Sequence, residues 1–442
     1  MPELTTVMAP VRPARPALRA GAVTLVLAAA VPLALPGSAR ANPEAGPYDA
    51  RSIGAGLTGL SWLERPAAIA INPANLQGID NFQLSLSATG IFPTQIAPVE
   101  GPDSSVEAGG FGPVGALFGA GRVHERWVVG LGVYLDAGYG AEFQNVQNID
   151  GQDPGGDPRD ISVVFFQGEA AAATSVRVLD NDFGKGGLLD IGLALRMPFA
   201  LQESETRQEI LPNNYDDVEQ SVFGVGYPGV RLGVTWQPTA DFALAMSYRS
   251  KTRTPMSGTL TTNLFGESDT ETDWYSPHML HLGGSGELLD DELLLTFEYR
   301  VQFHEEANEE QVFRTRVGDS TLTTRAPFLW QNVHSFRLGT EWQVIPDQLA
   351  LRGGYNLARS ATTEAGAQYF TPPHGWSSAL FTGVGFAFEP FAIDLAGSYT
   401  WSANTVEENG AFCQPGQPAK VGCAGDYETR TWWLSASVLY QM

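Results

Sequence analysis

Side chains alternate between two chemistries along most of this chain, and the alternation runs to the last residue. Counting back from Met442, Tyr440, Val438, Ala436, Leu434 and Trp432 share one face of an extended segment. Gln441, Leu439, Ser437, Ser435 and Trp433 take the other face, because successive side chains of a strand point to opposite sides. The pattern recurs at Trp127, Val129, Leu131, Val133, Leu135 against Val128, Gly130, Gly132, Tyr134, Asp136. It recurs again at Leu293, Leu295, Phe297, Tyr299, Val301, Phe303 against Leu294, Thr296, Glu298, Arg300, Gln302, His304. A soluble barrel or sandwich would bury its apolar face and have little use for Arg and Glu spaced along the opposite one. An oily outer face and a polar inner one predict an all-β fold, a transmembrane antiparallel β-barrel with a wet lumen.

The first 41 residues read as a signal peptide. Arg12, Arg15 and Arg19 precede an apolar run from Gly21 to Leu35, and Ser38-Ala39-Arg40-Ala41 offers small residues for cleavage after Ala41. A membrane anchor is the other reading; Pro32 and Pro36 would break its helix. No other segment reaches the roughly 18 apolar residues that a helical span needs. The net charge of −23 argues against nucleic-acid binding, which wants a basic face. Export and barrel strands together predict the outer membrane of a Gram-negative-type bacterium.

Residues 42–80 differ from the rest. Ser61-Trp62-Leu63-Glu64 has capping-box spacing ahead of Ala67, Ala68, Ile69 and Ala70. Asn72-Pro73-Ala74 sets a capping side chain before a proline suited to a first helical turn. Gly54, Gly56 and Gly59 match a dinucleotide fingerprint, but no hydrophobic strand or βαβ unit surrounds them, so tight turns are the better account. A compact, partly helical segment before a barrel is expected to sit in its lumen as a plug.

The barrel itself is expected over 81–442, with about fourteen strands from 82–92 to 427–442. Short turns such as His124-Glu125, Pro346-Asp347 and Glu389-Pro390 alternate with long acidic loops at 93–111, 141–160, 203–220, 305–329 and 406–426. Long loops belong outside the cell. Trp127, Trp236, Trp274, Trp330, Trp342, Trp376, Trp401 and Trp432 near strand ends suit interfacial girdles. Cys413 and Cys423 share one loop, and an oxidising compartment predicts a disulfide between them; a metal pair is the weaker reading, with no histidine nearby.

Taken in order, these segments resemble the FadL family of outer-membrane transporters for long-chain fatty acids and other hydrophobic molecules. The residues that carry the resemblance are Gly54-x-Gly56-x-x-Gly59 with Asn72-Pro73-Ala74, and Val129-Gly130-Leu131-Gly132 with Asp136-Ala137-Gly138-Tyr139-Gly140. Ala245-Met246-Ser247-Tyr248-Arg249-Ser250, Phe336-Arg337-Leu338-Gly339-Thr340-Glu341-Trp342 and Leu351-Arg352-Gly353-Gly354-Tyr355 complete it. The resemblance implies a plugged fourteen-strand barrel, a kink in the third strand, and sideways release of apolar cargo through the wall there. Asp136, Ala137, Gly138, Tyr139 and Gly140 are then the candidate gate. Glycine permits a bulge and leaves the gap unfilled, though small residues could equally make room for the plug.

The inward charges Arg196, Arg231, Arg249, Arg300, Arg337, Arg352, Glu298, Glu341 and Asp394 read as a lumen network that anchors the plug, or in part as contacts for a cargo carboxylate. The family's basic headgroup positions have no match, since Phe199, Ala200 and Leu201 stand in the first such region. Phe92, Phe111 and Leu211 are candidate cargo contacts among the outer loops. Acidic runs at His304-Glu305-Glu306, Glu309-Glu310 and Asp216-Asp217 suit loosely held divalent cations shared with lipopolysaccharide. His281 and Ser285 fall on the inner face, against a lipase site at the membrane interface. The expectation is a monomeric, passive carrier of hydrophobic molecules such as fatty acids or hydrocarbons, without cofactor or enzymatic activity. A secretion-associated barrel binding a partner protein and a general polar porin are the alternatives.

Overall fold

A computed structural model of the chain describes residues 48–101, 103–147, 157–181, 186–211, 214–407 and 424–442. The signal-peptide and Cys413–Cys423 expectations lie outside the described residues. The strands are β1 (Phe82–Ala97), β2 (Val106–Gly109), β3 (Gly112–His124), β4 (Trp127–Val146), β5 (Arg159–Asp180), β6 (Leu188–Leu211) and β7 (Asn214–Val225). They continue as β8 (Gly229–Thr239), β9 (Phe242–Arg249), β10 (Thr252–Thr262), β11 (Gly266–Ser276), β12 (Met279–Leu288), β13 (Leu293–Gln302) and β14 (Glu310–Val317). The last are β15 (Ser320–Pro327), β16 (Val333–Ile345), β17 (Leu349–Arg359), β18 (Trp376–Phe388), β19 (Phe391–Val406) and β20 (Gly425–Gln441).

All are antiparallel and belong to one sheet, which β1 and β20 close into a cylinder by a ladder from Gln83↔Gln441 to Ile96↔Glu428. The segments occupy fourteen positions around the ring. Six positions hold two segments in line: β2 with β3, β7 with β8, β9 with β10, β11 with β12, β13 with β14, and β15 with β16. Closure pairs the first strand with the last, so the sheet has no free edge strand, as a membrane span requires.

The two faces separate as the alternation demands. Leu131, Leu338 and Leu434 are 63%, 54% and 60% exposed on the outside, while Ser435, Ser437, Glu298 and Arg300 are buried inside. Several segments expected as loops are instead strands. β6 and β7 form a hairpin through 203–220, and β14 and β15 form another through 305–329. Beyond the lipid both faces meet water, so the apolar stripe that marks a strand disappears and the segment reads as loop. β7 also pairs with β10, and β11 with β14, so these outer hairpins are zipped into a collar.

Residues 48–81 pack inside the cylinder as one short helix, α1 (Ala50–Gly54), and two 3-10 turns at Pro66–Ala70 and Pro73–Gly78. The expected capping box does not form. Arg65, without a side-chain cap, precedes the first 3-10 turn, and Ser61 instead donates to Ser285 Oγ at 2.9 Å. Satisfying the barrel wall outweighs capping a five-residue turn.

Candidate functional site

The ladder on one side of β4, the strand that carries the candidate gate residues, is interrupted. The β3–β4 ladder runs from His124↔Trp127 to Ala116↔Tyr134 and stops there. Gly112–Gly115 remain paired to β1 on their other side, and β4 meets its neighbour again at Ala108↔Phe143. On the far side of β4 the register slips between Leu135 and Ala137, so Asp136 is the extra residue of a bulge. A bulge bends its strand and re-aims the side chain. Over Leu135–Glu142 β4 pairs with β5 on one side and with no strand on the other, and Asp136 points inward, where it is 1% exposed. Gly140 lies against the Val163 backbone of β5, too close for a side chain.

Asp136 is held from three directions. Tyr48 Oη donates to Oδ1 at 2.6 Å, Gln167 Nε2 to Oδ2 at 3.2 Å, and the Arg249 guanidinium pairs with Oδ2. Burial, then the Asp136 carboxylate, push the Tyr48 phenol well up from its ordinary pKa, so it stays protonated as the donor. Tyr48 also packs edge-on against Tyr134 at 5.0 Å. The plug therefore touches the bulge directly, through a side chain rather than through plug backbone.

The rest of the plug is pinned to the wall by buried polar contacts. Arg51 reaches Glu341 with Nε and Nη2 at 2.8 and 2.6 Å; Arg352 bridges Glu341 and Asp394 at 2.5 and 2.7 Å; Arg65 pairs with Asp394. Glu298 accepts the Gly59 and Leu60 amides at 2.7 Å and faces His281 at 2.8 Å. Asn72 caps its turn by accepting from Ala74 N at 3.1 Å, and donates to Leu60 O at 2.7 Å and Thr235 Oγ1 at 2.8 Å. Gly192 and Gly233 of the wall face this turn so closely that a Cβ on either would collide with Asn72-Pro73-Ala74. Gly54 and Gly56 likewise lie on Gly383 and Gly354 of the opposite wall.

The inward charges are thus tied to plug and neighbours. His281 and Ser285 both lie inside, on Glu298 and Ser61. His304 turns into the lumen beside Trp330, away from the exposed Glu305 and Glu306. Asp216 is a structural acceptor for Asn263 Nδ2 and Leu264 N at 2.7 and 2.8 Å, tying two outer hairpins together.

Phe92 and Phe111 do not line an outer groove. They meet in a tilted pair, 5.1 Å apart, on the outer wall, where β1 meets the start of β3 beside the interrupted ladder. Leu211 ends β6, at the tip of its hairpin. Sequence reasoning missed the apolar surfaces inside the outer mouth. One gathers Phe143, Val146, Ile161, Tyr369 and Phe370, and another Phe165, Trp274, Phe328 and Trp330. A further pocket lies between the plug residue Leu57, Pro372 and Pro373, and the wall strands. Its polar lining includes Ser360, Thr400, Thr429 and Thr431, its apolar lining Phe381 and Trp433, and no charged side chain lines it.

Comparison with known proteins bears on this arrangement. Residues 48–442 match the family model described as outer membrane protein transport protein (OMPP1/FadL/TodX). The fold is similar to that of a Pseudomonas aeruginosa FadL homologue, with TM-score 0.75 and 16% identity over 91% of this chain and 100% of that one. It is similar to the Ralstonia pickettii toluene transporter TbuX, with TM-score 0.69 and 17% identity over 89% and 98%. The Pseudomonas putida toluene transporter TodX gives TM-score 0.69 and 16% identity over 91% and 99%. No curated protein matches the sequence.

Proposed function

The chain belongs to the outer membrane protein transport family (OMPP1/FadL/TodX), whose members are outer-membrane barrels of Gram-negative bacteria, and on that premise we propose that it carries hydrophobic small molecules inward and releases them sideways at β4. Cargo enters from the outer mouth, passes through the chamber above the plug, and leaves between β3 and β4 into the membrane. The observation that carries this reading is the interrupted ladder with its Asp136 bulge, in a cylinder whose axis is filled by residues 48–81. A polar porin needs an open axis; an oily solute needs only a side exit. Flow follows the gradient, driven by apolar transfer at roughly 25 cal/mol per Å².

The reading favours uncharged cargo. The pocket lined by Leu57, Phe381 and Trp433 presents hydroxyls rather than guanidiniums. The test is to narrow the opening. Ala137 is buried beside the bulge and already carries a Cβ, so Ala137→Trp fills the gap without the backbone clash expected at Gly140. Uptake of toluene by cells that depend on this protein should fall several-fold while barrel yield is unchanged. Undiminished uptake counts against the side exit.

A further inference from the structure

The segment 360–375, between β17 and β18, is the one long connection that turns into the barrel among the described residues. A connection normally runs over the surface, because buried coil must find partners for its backbone. Here Ala361, Thr362, Ala367, Tyr369, Phe370 and Thr371 are all buried, and only Glu364 and Ala365 are exposed. The backbone finds its partners partly in its own turns, as where Ala367 N donates to Glu364 O at 3.3 Å and Thr371 N to Gln368 O at 3.0 Å, and partly in neutral side-chain amides around it. Gln95 Nε2 donates to Tyr369 O and Thr371 O at 2.6 and 2.9 Å, and Gln331 Nε2 to Ser360 O and Thr362 O at 3.1 Å each. Gln368 Nε2 reaches Pro327 O at 3.3 Å, and Asn404 Nδ2 donates to His374 O. No β-ladder holds the segment.

Tyr369 and Phe370 lie together at 4.6 Å and stand against Phe143 at 6.2 and 6.0 Å. Val99, Ala141, Val146, Ile161 and Tyr427 complete the surround. Ala141 and Phe143 follow the Asp136 bulge on the same strand, so this chamber adjoins the broken ladder. The collar also leads here. β7–β10 and β11–β14 pairing zips the outer hairpins together, whereas β15 pairs with β14 alone among the described residues, and segment 360–375 meets β15 where Gln368 Nε2 donates to Pro327 O at 3.3 Å.

We propose that segment 360–375 is a lid whose own Tyr369 and Phe370 rings fill a cargo chamber, and that a neutral, ring-sized apolar molecule takes their place when the lid lifts. The inference rests on the transport reading and names the cargo class that reading leaves open. The neighbours named here are aliphatic and aromatic, so an acid of similar size would give up the solvation of its charge on entering among them. The lid is held by a few neutral hydrogen bonds, which break and re-form without separating ions.

The experiment is equilibrium dialysis of radiolabelled naphthalene against the protein in lipid nanodiscs, with octanoate as the charged comparator and empty nanodiscs as the blank. Tyr369→Ala with Phe370→Ala removes the internal competitor. Naphthalene affinity should rise about tenfold if the lid is open a tenth of the time in the natural chain, while octanoate binding stays at the blank level. Unchanged or weaker naphthalene binding, or octanoate bound equally well, overturns the proposal. Gln95→Ala leaves both rings in place and loosens only the lid; should the double variant not fold, this variant must still tighten naphthalene binding, and no change overturns the proposal. Uptake by intact cells separates the two claims. Binding that responds to the lid while the natural chain carries nothing inward sinks transport and leaves the chamber. Uptake with binding indifferent to the lid sinks the chamber and leaves transport.

Discussion

Replacing Asn72 with alanine should free the plug while sparing the barrel. Asn72 is fully buried and serves Ala74 N, Leu60 O and Thr235 Oγ1. Two of those groups keep a partner after the change, since Asn75 Nδ2 still donates to Leu60 O at 2.9 Å and Thr235 Oγ1 still donates to Asn75 Oδ1 at 2.6 Å. The Ala74 amide does not, and a buried unpaired donor costs about 1–3 kcal/mol. The lost cap contributes through that same amide, so the two are counted once; the weakened bonds to Leu60 and Thr235 add about 1 kcal/mol more. A total near ~3 kcal/mol corresponds to about a hundredfold rise in local opening. Hydrogen exchange read by mass spectrometry on peptides covering 59–78, in nanodiscs, should show protection falling by about that factor. Peptides from β17 to β20 should exchange as before. Plug protection unchanged, or lost equally across the strands, would refute the reasoning, because Asn72 would then be either idle or part of the barrel's own stability.

Other outcomes follow from the same contacts. Asp394→Ala leaves Arg65 only the more distant Asp49, at 3.8 Å, and Arg352 only Glu341, and truncating one partner of a buried ion network costs about 3–5 kcal/mol; thermal unfolding in detergent should drop by several degrees, and an unshifted transition would contradict the network. Leu434→Lys puts a charge on the lipid face at a position 60% exposed, and about 2–4 kcal/mol of bilayer stability should be lost in urea refolding into vesicles if it lies near the midplane. Tyr48→Phe removes the plug's bond to the bulge while Asp136 keeps Arg249; hydrophobic uptake should quicken with melting changed little, and slower uptake would argue that the bond holds the exit open.

Strand positions within the membrane were legible because lipid enforces the code: Trp432, Leu434 and Val438 face out, and Ser435 and Ser437 face in, as two-residue alternation dictates. The Asn72-Pro73-Ala74 turn and the Asp136–Gly140 bend were legible from backbone chemistry, a capping amide before a proline and glycine in a strand. The hairpins over 203–220 and 305–329 were not, because water on both faces erases the pattern. Nor was the chamber. Phe143, Tyr369 and Phe370 come from distant segments, and only the ring closure brings them together. Phe92 and Phe111 show the same limit: the sequence offers them as cargo contacts among the outer loops, and only the β1–β3 register places the pair on the outer wall.

The most direct test compares the rates at which toluene and a polar solute of similar size cross the outer membrane of intact cells, with and without this protein. The account predicts that the protein accelerates toluene alone, since it takes residues 48–81 as closing the axis to water and the interrupted β3–β4 ladder as the oily side path. Equal acceleration of the polar solute, or none of either, would contradict it.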